Sequence, residues 1–186
     1  MEAHRERFDR SSKWSDLRDA RFESCQFSGV DWSRMDLRGA RFEDCTFRDC
    51  DWSNIRSLGL GLQDVEFKGC KLVGVDFSAC NTMGFEVKFD DCQLDSASFE
   101  GVDLRRTRWN DCRANRVDFS RANASGVTFV DVDFQGSDFE RTQLEGADFR
   151  RARGWKIRPD ENRVRGAKFN RDELEGLLTA WDLDIS

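Results

Sequence analysis

Residues 17–52 read LRDARFESCQFSGVDWSRMDLRGARFEDCTFRDCDW, and every fifth residue of this segment, counted from Leu17, is large and apolar. The series continues along the chain: twelve of the fourteen positions from Leu17 to Thr82, and eleven of the thirteen from Phe89 to Phe149, are Leu, Phe or Trp. An α-helix repeats about every 3.6 residues and a strand about every 2, so neither produces a sustained period of five. The chain is therefore built from repeated five-residue units.

The position two residues before each large residue is also restricted, and in most units it holds a small apolar residue such as Ala20, Cys25 or Val30. Residues two apart on extended backbone point to the same side, so each unit offers one large and one small side chain to a common interior. A hydrophobic content of 38% beside 35% charged residues agrees with this pattern. Because so short a unit cannot bury its apolar side alone, the sequence predicts a solenoid of stacked units.

Three units carry a family resemblance: Ala40–Asp44 (ARFED), Val75–Ala79 (VDFSA) and Ala147–Arg151 (ADFRR) are similar to the pentapeptide-repeat family. The resemblance covers residues 15–169. It implies an all-β solenoid, namely a right-handed quadrilateral β-helix with four units in each coil, here ending in a short C-terminal α-helix. Residues about twenty apart then stack, for example Trp32 on Trp52, and the shaft is roughly 32 Å long at a strand spacing of about 4.8 Å.

Three segments follow from the repeat: a cap segment at residues 1–14, the β-helix at 15–169, and a helix with tail at 170–186. Between Thr82 and Phe89 the series slips by two residues, which predicts a small loop or bulge at about residues 81–88. Such a loop is either a tolerated insertion or a partner contact. A second irregularity keeps the register but places Ser57 inward and Leu58 outward.

The C-terminal segment changes to a helical period. Asn170 and Glu173 form a capping-box pattern, and the apolar residues after them recur at helical spacing. A helix this short must bury its apolar side, either as a cap on the open end of the solenoid or as a cap that also makes a dimer contact. The resemblance favours a tail-to-tail homodimer. The candidate dimer residues are Leu174, Leu177, Leu178, Trp181, Leu183 and Ile185.

Charge is distributed in bands along the chain. Residues 64–103 hold nine acidic and three basic residues, a net charge of −6, whereas residues 150–171 hold nine basic and two acidic ones, a net charge of +7. Two coils span about 10 Å, so the acidic band has one net negative charge per about 1.6 Å, close to the value of about 1.7 Å for duplex DNA.

Asp91, Asp111 and Asp131 are twenty residues apart, which predicts a column of carboxylates that ends at Arg151. Like charges on neighbouring strands are destabilising, so the column either serves a partner or is relieved by nearby cations. The candidates for that relief are Arg106, Arg108 and Arg113. The acidic residues predicted to contact a partner are Asp64, Glu66, Asp76, Glu86, Asp90, Asp91, Asp111 and Asp131.

The sequence contains little that indicates a disulfide, a metal site, a cofactor site or a catalytic site. All seven cysteines (Cys25, Cys45, Cys50, Cys70, Cys80, Cys92 and Cys112) fall at the small inward position and are predicted to fill the core as free thiols. No zinc-type spacing and no cofactor motif occurs, and the only histidine is His4 in a polar segment, so we expect no metal, no cofactor and no catalysis. Without a signal-peptide or membrane-spanning pattern, we expect a cytoplasmic protein that does not bind membranes.

The chain's length and its ending, in which Gly166–Phe169 is followed by a helix, are similar to the Qnr-type, topoisomerase-protecting subgroup of this family. This resemblance implies a DNA mimic that binds DNA gyrase or topoisomerase IV and either protects or inhibits the enzyme, without binding nucleic acid itself. The alternative is a non-catalytic scaffold of the same fold that binds another protein.

Overall fold

The structure is a computed structural model, and it describes residues 1–181. It is a right-handed, four-sided parallel β-solenoid of about eight turns, followed by a short helical segment. Leu183 and Ile185, two of the predicted dimer residues, lie outside the described residues.

Short strands form two of the four faces. Face A carries a four-stranded sheet in the order β1-β3-β5-β7, and face B carries an eight-stranded sheet in the order β12-β11-β10-β9-β8-β6-β4-β2. The strands are β1 Glu2–His4, β2 Arg7–Phe8, β3 Arg21–Glu23, β4 Gln26–Ser28, β5 Arg41–Glu43, β6 Thr46–Arg48, β7 Gly61–Gln63, β8 Val65–Lys68, β9 Val87–Asp90, β10 Arg108–Asn110, β11 Thr128–Asp133 and β12 Asp148–Arg153.

Faces C and D follow face B along each coil and are held mainly by single parallel bridges. On face C, Asp31 pairs with Asp51 and Gln93 with Arg113, while on face D, Asp76 pairs with Ser98. Eight strands stacked at about 4.8 Å make face B roughly 34 Å long. The number of stacked strands therefore agrees with the shaft length of roughly 32 Å predicted from the repeat.

The interior is the predicted one, with large side chains stacked from coil to coil. The rings of Phe27 and Phe47 lie 4.5 Å apart, those of Trp32 and Trp52 lie 5.5 Å apart, and those of Phe99 and Phe119 lie 5.5 Å apart. All seven cysteines are buried and free, as predicted. Ser57, which the sequence placed inward, is buried, and its hydroxyl donates a hydrogen bond to the backbone carbonyl of Asp76.

The slip near residue 82 is absorbed as a small bulge within the wall, one of the two forms that the sequence predicted. No loop leaves the wall at 81–88: Met83 and Gly84 form a tight turn, and Val87 is already in strand β9. Phe85 is 3% exposed and takes the interior position, while Thr82, expected inward, is exposed. The bulkier apolar residue fills the core, so the two additional residues appear only as a pairing offset of twenty-two between Val65 and Val87.

Both ends are closed by aromatic residues. Residues 1–14, expected as a cap, contribute strands β1 and β2, and Phe8 packs against Trp14 and Phe27 at centroid distances of 5.0 and 5.1 Å. At the other end Trp155 and Ile157 are fully buried although the five-residue pattern fades there. Trp155 therefore enters the core one residue after Gly154, the position at which the five-residue series would continue.

Candidate functional site

The predicted column of aspartates lies at the corner where face B turns into face C. Asp91, Asp111 and Asp131 are exposed there, and their backbones have φ values of 51°, 50° and 53°. Asp and Asn adopt this left-handed conformation more readily than most residues because their short side chains hydrogen-bond locally. The corner thus has a conformational preference for Asp that is independent of any partner.

The three carboxylates differ in how their charge is compensated. Arg151 forms an ion pair with Asp131, as its place at the end of the column predicts. Among residues 1–181, neither Asp91 nor Asp111 forms an ion pair.

The proposed relief by nearby arginines is not observed for this column. Arg106 contacts Glu86, and Arg113 donates from Nε to Asp95 at 2.7 Å. Both arginines therefore neutralise other carboxylates, and Arg108 forms no ion pair among the described residues. Two adjacent, uncompensated negative charges remain on the surface at Asp91 and Asp111.

A shallow groove runs beside the column, with a volume of about 420 Å³. Its opposite side, on face C, includes Gln93, Arg113 and Asp133. Arg153 pairs with Asp133 at 3.0 Å, so this side carries both signs of charge. The uncompensated acidic strip is therefore one residue wide.

Four other predicted acidic residues lie on face B or at the corner between faces A and B, and each has a polar partner. Asp64 accepts from Lys88 at 2.7 Å, and Glu66 pairs with Lys68 at 3.0 Å. Glu86 pairs with Arg106, as above, and Asp90 accepts from the Asn110 amide at 2.6 Å. Lys68 and Lys88 are already counted in the net charge of −6, so among these partners only Arg106, from outside the band, reduces that charge on this side of the rod.

Asp76 lies apart from the others, on face D opposite face B. Its carboxylate accepts from the backbone N–H and the hydroxyl of Ser78 at 3.0 and 2.5 Å, which is an Asx turn. Of the eight predicted acidic residues, Asp76 is the one that lies neither on face B nor at one of its corners.

The same turn recurs around the solenoid and was missed by the sequence analysis. An Asp or Asn just before the central residue of a unit accepts the backbone N–H two residues later. The residues in this role are Asp16, Asp31, Asp36, Asp51, Asp76, Asn81, Asp103, Asp118, Asn123, Asp133, Asp138 and Asp148. Its signal was present in the recurring Asp-Phe and Asp-Leu pairs, and it shows that much of the acidic content shapes the backbone.

In four of these turns the residue that supplies the backbone N–H is an arginine, which also binds the carboxylate with its side chain. On face D, Arg38 Nη2 lies 2.7 Å from Asp36, and this hydrogen bond is the main cause that lowers the pKa of Asp36 to about 2. On face B, the side chain of Arg150 likewise lowers the pKa of Asp148. Such Arg–Asp pairs cancel charge locally and reduce the number of carboxylates free to meet a partner.

The C-terminal helix begins where predicted, but its hydrogen bonds are of the 3-10 type. It spans Arg171–Leu177, and a second 3-10 turn spans Thr179–Trp181. Asn170 caps it by accepting from the N–H of Asp172 at 3.2 Å. Glu173 does not complete the capping box; its carboxylate accepts instead from the N–H of Gly154 at 3.5 Å, which ties the helix to the solenoid.

The apolar residues of this helix are divided between the core and the surface. Leu177 packs against the core and Leu178 is half-buried, whereas Leu174 and Trp181 are 42% and 49% exposed. Gly176 lies directly on Trp155, where a side chain would clash with its backbone and ring. The helix therefore caps the solenoid and leaves two large apolar side chains exposed at the end of the rod.

The described residues hold no group of three or more His, Cys, Asp or Glu arranged to bind a metal ion. Neither 3-10 helix within residues 1–181 has the length and apolar run that a membrane crossing requires.

Comparison with known proteins identifies repeats along most of the chain. A family described as "Pentapeptide repeat region" matches residues 40–115 and 82–154, and one described as "Pentapeptide repeats (8 copies)" matches residues 15–53. No curated protein matches the chain in sequence.

Solved structures that share the fold include QnrB1 and HetL. QnrB1, a plasmid-mediated fluoroquinolone resistance protein, matches with a TM-score of 0.62 and 17% identity, over 100% of this chain and 98% of QnrB1. HetL, a pentapeptide repeat protein involved in heterocyst differentiation regulation from the cyanobacterium Nostoc sp., matches with a TM-score of 0.58 and 12% identity, over 83% of this chain and 88% of HetL.

Proposed function

Because this chain belongs to the pentapeptide-repeat family, a family of rod-like proteins, we propose that it is a non-catalytic binding protein that mimics DNA. Its partner in this proposal is a bacterial type II topoisomerase, DNA gyrase or topoisomerase IV. Binding would protect the enzyme from quinolones or toxins, or inhibit it. The protein would act in the cytoplasm, where its buried thiols stay reduced.

The observation that carries the proposal is the aspartate column at the corner of faces B and C. Asp91 and Asp111 carry adjacent charges without an ion pair among the described residues, on a rigid rod. A fixed row of negative charges is attractive to a surface that normally binds the phosphates of duplex DNA. The likeness to QnrB1 over nearly its whole length supports the same reading at the level of the fold.

A homodimer is part of the proposal. Leu174 and Trp181 are exposed at the C-terminal end of the rod, where a second copy could bury them. Two rods joined end to end would span roughly 70 Å, or about two turns of DNA. This length suits a surface that binds a duplex along its axis.

The test is binding of the full-length chain to purified gyrase, followed by supercoiling assays with and without ciprofloxacin. Replacing Asp91, Asp111 and Asp131 together by Asn removes three charges and keeps residues that tolerate the left-handed backbone. We expect the affinity for gyrase to fall at least tenfold, since three phosphate-like charges are lost.

A matched control changes the same number of charges elsewhere. Asp31, Asp118 and Asp138 each accept a backbone N–H two residues later, a role that Asn can also fill. This triple Asn variant should bind gyrase within about threefold of the wild type. If both triple variants lose affinity equally, net charge and not the column governs binding; if the wild type fails to bind at all, the proposal is wrong.

The second candidate function is a scaffold that binds a different protein. HetL has the same fold and a regulatory role of another kind, which is the observation in its favour. Absence of binding to both topoisomerases would favour this alternative.

A further inference from the structure

One region of this highly charged rod carries no charge at all. Residues 57–63 (SLGLGLQ) and 77–85 (FSACNTMGF) contain no Asp, Glu, Lys, Arg or His, although charged residues make up 35% of the chain. In the sequence alone these two segments are separated by a charged stretch, so they do not form one feature.

The fold stacks the two segments directly on each other. Gly61 pairs with Asn81 in a parallel bridge, and Gly59 donates its N–H to Ala79 at 2.8 Å. Asn81 in turn donates its N–H to Leu60 at 2.9 Å. Two neighbouring coils therefore form a continuous uncharged surface that runs from the end of face D across face A; we name it the neutral patch.

Two large apolar side chains stand on the neutral patch. Met83 is 88% exposed and Leu58 is 65% exposed, and these are the highest values among the large hydrophobic residues of residues 1–181. Leu58 directly precedes the corner residue Gly59. Met83 lies two residues after Asn81 and donates its backbone N–H to the Asn81 side chain at 3.1 Å. Between them the outward residues are small or uncharged.

Folding does not explain this exposure. Inward positions on the same coils are already filled by Leu60, Leu62 and Phe85, each at most 3% exposed. Outward positions elsewhere on the rod hold mainly charged or polar residues, so a polar residue at either site would satisfy the fold equally well. Two exposed apolar side chains, Leu58 and Met83, surrounded by uncharged residues resemble in composition the core of a protein–protein interface, where charged residues are depleted.

We infer that the neutral patch is a second interaction surface, which receives an uncharged segment of a partner protein that presents one large apolar side chain. The absence of charge selects the occupant, since a charged segment would lose its hydration there without an opposite charge to pair with. The small residues between Leu58 and Met83 allow the partner backbone to approach closely.

The area argues against a second copy of this chain as the occupant. Two coils by one face measure roughly 10 by 10 Å, on the order of 100 Å², whereas a stable dimer buries about 800 Å² on each partner. The neutral patch is therefore an anchoring point within a larger contact. It lies on faces D and A, whereas the aspartate column lies where faces B and C meet, so it goes beyond the proposed function and adds a separate site.

The first experiment uses a probe of the stated chemistry. The peptide acetyl-Ser-Leu-Trp-Leu-Ser-amide is titrated into the ¹⁵N-labelled full-length chain, and the backbone amides of Gly59, Gly61 and Gly84 are followed by NMR. For one anchored aromatic residue we expect a dissociation constant on the order of 1 mM, with shifts confined to the patch. A matched peptide with Asp in place of Trp should cause no shift.

Variants establish which residues are responsible. Leu58→Ser with Met83→Ser should reduce the shifts at least fivefold, while Val73→Ser with Val130→Ser, two half-buried outward residues on faces C and B, should leave them unchanged. Both double variants should unfold at the wild-type temperature, since none of the four side chains is in the core. Unaltered peptide shifts in the Leu58/Met83 variant, or shifts spread over all faces, would overturn the inference.

Two parallel measurements separate the remaining outcomes. Self-association in sedimentation velocity that disappears in the Leu58/Met83 variant would identify a second copy as the occupant and overturn the inference. Gyrase binding is measured on the same samples: a wild-type chain that fails to bind gyrase but keeps its localised peptide shifts refutes the proposed function alone. Normal gyrase binding without peptide shifts refutes the neutral patch alone.

Discussion

Removal of the charge at Asp91 and Asp111 tests whether the aspartate column is under electrostatic strain. Asp91→Asn with Asp111→Asn leaves Asp131 and its ion pair with Arg151 intact. We expect the double variant to be more stable than the wild type. Asn tolerates the left-handed backbone at both sites, so the change removes charge without changing the turn.

The magnitude follows from the stacking of the coils. Two unit charges about 4.8 Å apart in water repel each other by roughly 0.9 kcal/mol before screening. Asp131 is neutralised by Arg151, so the Asp91–Asp111 pair contributes most of the effect. With screening at low salt, the free energy of unfolding should rise by about 0.5–0.8 kcal/mol.

The assay is urea unfolding followed by circular dichroism, at about 0.02 M and about 1 M NaCl. The gain should be present at low salt and nearly absent at high salt, where the screening length falls to about 3 Å. The control is the variant with Ala at both positions, which also removes the two charges. Because the left-handed backbone costs each Ala roughly 1–2 kcal/mol, this variant should be less stable than the wild type. A stability loss in the Asn variant, or a gain that ignores salt, would refute the electrostatic reasoning.

Three further predictions concern the core, the thiols and the end of the rod. Phe119→Ala should lower the free energy of unfolding by about 3–5 kcal/mol, because the ring is buried between stacked neighbours, while Val130→Ala on the surface should cost less than about 1 kcal/mol in the same urea titration. Burial raises the pKa of the Cys45 thiol to about 12 from an ordinary value of 9.0, so this thiol should resist Ellman's reagent at pH 8 in the native protein. The free energy of unfolding should fall between pH 9.0 and about 12, because the thiol ionises first in the unfolded chain. Rapid labelling of the native protein would contradict this prediction. Leu174→Asp with Trp181→Asp should convert a dimer to a monomer in sedimentation equilibrium without lowering the unfolding temperature by more than a few degrees, and an unaltered mass would exclude this end as the interface.

The period of five predicts most of the architecture, namely a solenoid of stacked units with one large and one small side chain of each unit in the core. Stacks such as Trp32 on Trp52 follow from counting alone once the coil length is known from the family, because hydrogen bonds between parallel coils hold the register. The burial of the cysteines follows for the same reason. A short repeat that must stack leaves few alternative folds.

The structure was needed wherever the register changes. Nothing in the spacing indicates that Phe85, and not Thr82, occupies the interior, since that choice depends on how a tight turn at Gly84 fits the coil below. Likewise nothing in the spacing indicates that Trp155 is buried, since the five-residue series would continue at Gly154. Which residue occupies the interior at these places depends on side-chain size and on backbone geometry, and the period of five contains neither.

The candidate surfaces show the same division. With the coil length of about twenty residues that the family resemblance implies, the sequence determined that Asp91 and Asp111 stack, because their spacing equals one coil. Only the tertiary structure decided which carboxylates keep their charge: Arg113 reaches Asp95, Arg106 reaches Glu86, and neither reaches the column. Long flexible side chains choose among several neighbours within a few ångströms, so their pairing depends on three-dimensional distances that sequence spacing does not contain.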